Sequence, residues 1–245
     1  MNHLNQLIHL SAAAVLLGAA QGASAETIVH TFQQGVAGYT GQVDTNIRGE
    51  EPDTAGGSLA ELSIDASDGG FESQVLLRFD NVFGAGAGQI GADRVITSAT
   101  LSFVVTSAGS GIRFHEMLLP WSDATATFNG FGLGVQADGI EARLASVQAI
   151  GGNDGSSNVE SGTLVVDFTA AMQRAQAGFA PQGWALLPWL PDGTNGIDVY
   201  SAEWDTLTER PLLTITTAPV PEPAAWLMMA LGLAGLAARA RRQRV

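Results

Sequence analysis

Cysteine and lysine are both missing from these 245 residues. Without cysteine the chain has no disulfide, no thiol nucleophile and no thiolate-held zinc. Without lysine, all eleven basic residues are arginines, and four of them, Arg239, Arg241, Arg242 and Arg244, fall in the last seven positions. From residue 26 to residue 219, seven arginines face twenty-three acids, a net charge of −16. Such a body repels phosphate backbones, so nucleic acid is not a partner. It is compatible with divalent cations and with neutral or cation-bridged polymers, or it serves solubility through mutual repulsion. Histidine is scarce too: past the first 25 residues only His30 and His115 occur. Neither stands in a His-x-x-x-His or Glu-rich metal pattern. No Gly-x-Ser-x-Gly elbow surrounds a serine. A carboxylate pair for glycoside hydrolysis needs closeness in space, which spacing along the chain does not reveal. No catalytic residue is therefore assigned.

What is present is concentrated at the two ends. Residues 7–20 form an apolar run that leads to Ala23-Ser24-Ala25, small residues in the pattern of a signal-peptide cleavage site, with Ala23 and Ala25 flanking the serine. Residues 1–25 are expected to be removed before Glu26. At the other end, residues 224–238 are uncharged and rich in Ala and Leu. As a helix they would reach about 22 Å against a hydrocarbon core of about 30 Å, a marginal span. Arginines directly after such a stretch hold that flank in the cytoplasm, so the body lies on the far side. The leader demands the same topology. The order Val220-Pro221-Glu222-Pro223, apolar stretch, arginine cluster resembles the PEP-CTERM sorting tail. That resemblance implies export from a Gram-negative cell that makes extracellular polysaccharide. It also implies an inner-membrane stage facing the periplasm, processing near the Pro-Glu-Pro by an exosortase, and a final place at the cell surface or in the matrix.

Between the ends the hydrophobic pattern has period two, which puts alternate side chains on opposite faces of a strand. In QVLLRFD, Val75, Leu77 and Phe79 share one face, while Gln74, Arg78 and Asp80 share the other, the reading of a half-buried strand. Leu101, Phe103 and Val105 alternate with Thr100 and Ser102. Leu164, Val166 and Phe168 alternate with Thr163 and Asp167, and Leu213 and Ile215 point inward. Shorter strands are expected over 59–64, 112–117, 184–187 and 197–200, separated by Gly-, Asp- and Asn-rich breakers. Thr169 is placed to cap a short helix closed by Gly178. The fold expected is all-β: a two-sheet antiparallel, jelly-roll-like β-sandwich over 26–217 with one short helix. An N-terminal signal helix and a C-terminal hydrophobic helix flank it, the latter in the sorting and anchor segment 218–245, with Ala218-Pro219 as a short hinge.

The pieces LLRFD, ITSATLSF, LPWSDATATFNG, VDFTAAMQRAQAG with PQGWALLP, and VYSAEWDTLTERPLLTIT, in that order, resemble a DNRLRE-type β-sandwich module. Phe128 stands where that family usually has tryptophan, and the literal DNRLRE string is missing. The resemblance implies a carbohydrate-binding-module-like fold of the kind that accompanies polysaccharide-degrading enzymes or surface proteins. Aromatic rings suit the flat C–H faces of sugars, so Trp189, Tyr200, Trp204 and Trp121 are the stacking candidates. Trp184, and on the family pattern Trp121 as well, compete for core roles. Similar sandwiches hold a structural calcium ion near the first and last strands, where Asp44, Asn46 and Glu203 supply oxygen donors; no other cofactor is indicated. The leading expectation is a non-enzymatic exported protein that associates with extracellular polysaccharide in a biofilm or floc. The alternatives are a polysaccharide lyase or hydrolase, and a purely structural surface protein.

Overall fold

In the computed structural model, residues 26–68, 70–152, 158–189, 195–220 and 230–234 are described. In chain order they form β1 (Ile28–Phe32), β2 (Gln42–Arg48), β3 (Glu61–Asp68), β4 (Phe71–Phe79), β5 (Arg94–Ser107), β6 (Gly111–Met117), β7 (Ala142–Gly151), β8 (Gly162–Asp167), α1 (Thr169–Gln176), β9 (Trp184–Pro188), β10 (Ile197–Tyr200) and β11 (Leu212–Pro219). Every ladder between these strands is antiparallel. The all-β expectation holds.

The long strand β5 organises the first half of the sheet. β11 and then β10 run along one edge of it and β8 along the other, while β1 closes the outer side of β11. β3 is the bend: its first residues pair with β10 and its last with β4. Beyond β4 the second half continues through β9, β6 and β7, with β2 on the other side of β4. The eleven strands thus make one curled sheet, and the curl has a cause. Leu101, Phe103, Leu213 and Ile215 from the first half share a core with Val75, Leu77, Phe114 and Leu186 from the second. Burying these apolar faces against each other removes both from water. Phe168 sits at the centre, edge-on to Phe114 at 5.4 Å and to Trp184 at 4.8 Å.

The two halves differ on their outer faces. The first half alternates as expected, with Leu101 and Phe103 buried and Thr100 and Ser102 half-buried. The second half does not, which corrects the reading of QVLLRFD as half-buried. Its other face carries Ile47, Leu76, Met117, Ala185 and Leu187, and the long connection 118–141 lies over it with Val135 and Trp121. Gln74, on the face read as polar, is 1% exposed. It pins the connection by accepting the Val135 N–H at 2.7 Å and donating to the Val135 carbonyl at 3.2 Å. Just before β9, Gly183 has φ +73, and a Cβ there would meet the Leu77 carbonyl at 2.3 Å, so only glycine lets the Gly-Trp strand enter.

Two smaller expectations are corrected. Thr169 begins α1 but does not cap it; its hydroxyl oxygen accepts the Ala99 N–H at 2.9 Å and fastens the helix to β5. The carboxylate of Asp167 takes the Thr169 N–H instead, at 3.0 Å. The helix does close at Gly178, whose φ is +84. Ala218 and Pro219 are not a hinge: both belong to β11, opposite Val95 and Arg94. Pro219 has no N–H to donate and is accommodated at the strand's last position. The leader, with Ala23 and Ala25, and the tail residues Pro221, Glu222, Pro223, Arg239, Arg241, Arg242 and Arg244 lie outside the described residues. Residues 230–234 are helical. Among the described residues no helix is long and apolar enough to cross a membrane.

Candidate functional site

Four of the residues singled out in the sequence meet at one end of the molecule, around the segment that follows β10. Tyr200 ends β10 opposite Glu61. The chain then turns through Ser201 and Ala202, and Trp204 folds back so that its ring lies parallel to Tyr200, centroids 3.9 Å apart and planes at 6°. Three hydrogen bonds hold that turn. The Trp204 indole N–H donates to the Glu209 carboxylate at 2.7 Å. Arg210 Nε donates to the Trp204 carbonyl at 2.6 Å, and its Nη1 donates to the Gln34 carbonyl at 3.1 Å. Gln33 closes the loop by donating to the Arg210 carbonyl at 2.8 Å. Both rings remain half-buried rather than buried, so the stack is rigid yet reachable.

Directly beneath lies a pair of carboxyl groups. Asp44, on the inward face of β2, is 2% exposed. Its Oδ2 accepts the Gln42 amide and the Ala202 N–H, each at 3.0 Å. Its Oδ1 has no hydrogen-bond partner of good geometry among the described residues, and the Glu203 carboxyl faces it. Burial first, and then the Glu203 charge, push Asp44 up to about 8. Burial also raises Glu203. Asp44 is buried whereas Glu203 reaches solvent, so at neutral pH the two facing carboxyls hold one proton between them, and Asp44 keeps it.

The other candidates are placed elsewhere. Asn46 shares the inward face with Asp44, but its amide is spent on backbone: it donates to the Ser63 carbonyl at 2.9 Å and the Gln74 carbonyl at 2.8 Å, and accepts the Ser63 N–H at 3.0 Å. It stitches β2 to β3 and does not join the carboxyl pair. Among the described residues no group of three or more His, Asp or Glu side chains converges as a metal site. Trp121 donates its indole N–H to the Gln182 carbonyl at 2.7 Å and lies under the Arg78 guanidinium, 4.8 Å from the ring centroid. Trp189, past the other end of β9, donates to the Ile150 carbonyl at 3.0 Å, with Arg113 over its ring at 5.3 Å. These two rings stand apart from the Tyr200–Trp204 stack and from each other. Trp184 is core, 2% exposed.

Some functional-looking groups carried no assignment in the sequence. Gln33, Gln34, Gln42, Glu209 and Arg210 frame the stack and the carboxyl pair, and no spacing ties residues 33–44 to residues 200–210. Glu116 is fully buried and bridged by Arg174 Nε and Arg143 Nε, both at 2.6 Å. Here a signal existed: Glu116 has the parity of Ile112 and Phe114 and so had to point inward with them. His115 is buried, with Nδ1 2.8 Å from the Arg143 carbonyl. A groove of about 830 Å³ lies away from these groups, between β1 and the connection 83–94.

Residues 219–242 match the PEP-CTERM protein-sorting motif. A search of curated proteins finds no match for the chain. The motif marks an exported protein, sorted by an exosortase and directed to the surface of a Gram-negative cell.

Proposed function

We propose that this exported protein is a non-enzymatic surface or matrix component that associates with extracellular polysaccharide, and that its curled sheet is a jelly-roll-like, carbohydrate-binding type of sandwich. The observation that carries the reading is the Tyr200–Trp204 stack, an aromatic platform fixed by hydrogen bonds and left half-open at one end of a rigid sheet. A sugar's C–H face packs on the open side of such a ring, and the acidic rim of Glu203 and Glu209 supplies acceptors for its hydroxyls. The carboxyl pair speaks for binding rather than bond cleavage. A glycosidase needs two carboxyls flanking the scissile bond about 5–9.5 Å apart, whereas Asp44 is covered and turned toward Glu203. Before processing, the apolar stretch 224–238 holds the protein in the inner membrane with its body outside.

The test is a pull-down of the exported protein on the host's own exopolysaccharide. Wild type binds, and Trp204→Ala, with its melting temperature checked alongside, loses about tenfold in affinity, the equivalent of one stacked ring. Equal binding by the two proteins refutes the platform. Release of reducing or unsaturated sugar ends assigns an enzyme instead.

A further inference from the structure

We propose that the end of the domain from which the tail leaves, formed by β1, β11 and the start of β5, rests on the lipid headgroups of the membrane, so that the Tyr200–Trp204 platform points away from it. This rests on the reading of residues 224–238 as a membrane anchor. The first ground is the length of chain between the fold and that stretch. β11 is paired to its last residue, Pro219 opposite Arg94, and Val220 donates its N–H to the Asp93 carbonyl at 2.8 Å. Arg94 ties the same place together, donating to the Thr217 hydroxyl at 2.9 Å, the Thr217 carbonyl at 3.0 Å and the Glu26 carbonyl at 2.7 Å. The folded body therefore holds the chain through Val220, and only three residues separate it from Ala224. Four residue steps reach at most about 14 Å. A headgroup layer is about 5–7 Å thick on each side of the hydrocarbon, so the exit end sits against it, with no linker to hold it off.

The second ground is the chemistry of that end. Val29 and Val95 lie on one face of the sheet, since Val29 pairs with Thr216 and Val95 with Ala218. Val29 is 63% exposed, and Val220, two residues past Ala218, is 43% exposed. In a strongly acidic body, the strands β1, β5 and β11 themselves contain no carboxylate, and the two exposed acids at their ends, Glu26 and Asp93, flank Arg94 at the edge of this face. Valine, threonine and serine meet a headgroup layer without the repulsion or desolvation that the rest of the surface would suffer. The opposite end of β11 lies about 23 Å away by strand rise, and there Leu207, Trp204 and Arg210 lead into the strand. The anchor pole and the platform are thus at opposite ends of one strand.

The absence of cysteine makes the test clean, because each single-cysteine variant labels at one place. Full-length, unprocessed Val29→Cys, Val95→Cys and Leu207→Cys proteins are labelled with an environment-sensitive fluorophore and reconstituted into phosphatidylethanolamine–phosphatidylglycerol vesicles carrying spin-labelled lipid. Leu207 is the control, since it is also exposed and apolar but sits at the far pole. The expected result is flotation with the vesicles and at least about twofold stronger quenching at 29 and 95 than at 207. Flotation with equal quenching at the three positions overturns the headgroup contact and leaves the anchor standing. Failure to float removes the anchor, and the contact with it.

Discussion

The two halves of the sheet are built from similar strands, yet only one of them shows water a whole face. In the half around β5, threonine, serine and a few valines alternate with core residues, and the outer face stays open to water. In the half around β4, the connection 118–141 folds over the outer face, and five consecutive residues, Ser73 to Leu77, are buried. The difference is not in strand propensity. It lies in a long connection whose docking depends on Gln74 and on a small second cluster around Leu76. One sheet thereby becomes exposed where neutral strands can meet a surface, and thickened where polar side chains must be hydrogen-bonded inside.

Substitutions sharpen this contrast. The largest effect is expected at Leu76, on the face that an open sheet would leave wet: Leu76→Ala should cost about 2–5 kcal/mol in denaturant unfolding, as much as Leu101→Ala in the shared core. A value near zero would mean that the connection does not cover it. Gln74→Ala strands the Val135 N–H and carbonyl, and should cost about 1–3 kcal/mol. The pH dependence tests the carboxyl pair under β10. Asp44 stays protonated in the fold up to about pH 8, whereas the unfolded carboxyl releases its proton near about pH 4. Between those values the fold binds the extra proton, so stability is highest at the acid end and falls as pH rises toward 8. Asp44→Asn should flatten that slope in melting temperature measured from pH 5 to 8; an unaltered slope removes Asp44 as its source. Thr100→Ala, on the open face of the first half, should change stability by no more than about 0.5 kcal/mol.

That contrast also marks how far the sequence could be read. Leu101, Phe103, Val105, Leu213 and Ile215 lie where alternation puts them, because an open-faced strand obeys a two-residue period. β10 begins at Ile197 and ends at Tyr200, the bounds the pattern predicts. β2 escaped notice because QVDTNIR looks polar throughout, yet Asp44, Thr45 and Asn46 are all buried. The burial of Asp44 and Asn46 is made tolerable by long-range bonds to Ala202, Ser63 and Gln74, which no local pattern encodes. The site follows the same rule. Trp204 and Glu203 were legible as neighbours along the chain, and Asp44 as an acid near a first strand. Their meeting, and the departure of Asn46 toward the β3 backbone, depend on the curl. Ala218-Pro219 resembled a hinge because proline ends strands, but the ladder to β5 continues through it.

The central claim is that this acidic β-domain works outside the cell, delivered and released through its terminal motif. The most direct measurement is the intact mass of the protein recovered from the surface and matrix of its native host. A species that begins at Glu26 and stops near Pro221 to Pro223 is the result expected. Full-length chain confined to the cytosol would contradict it.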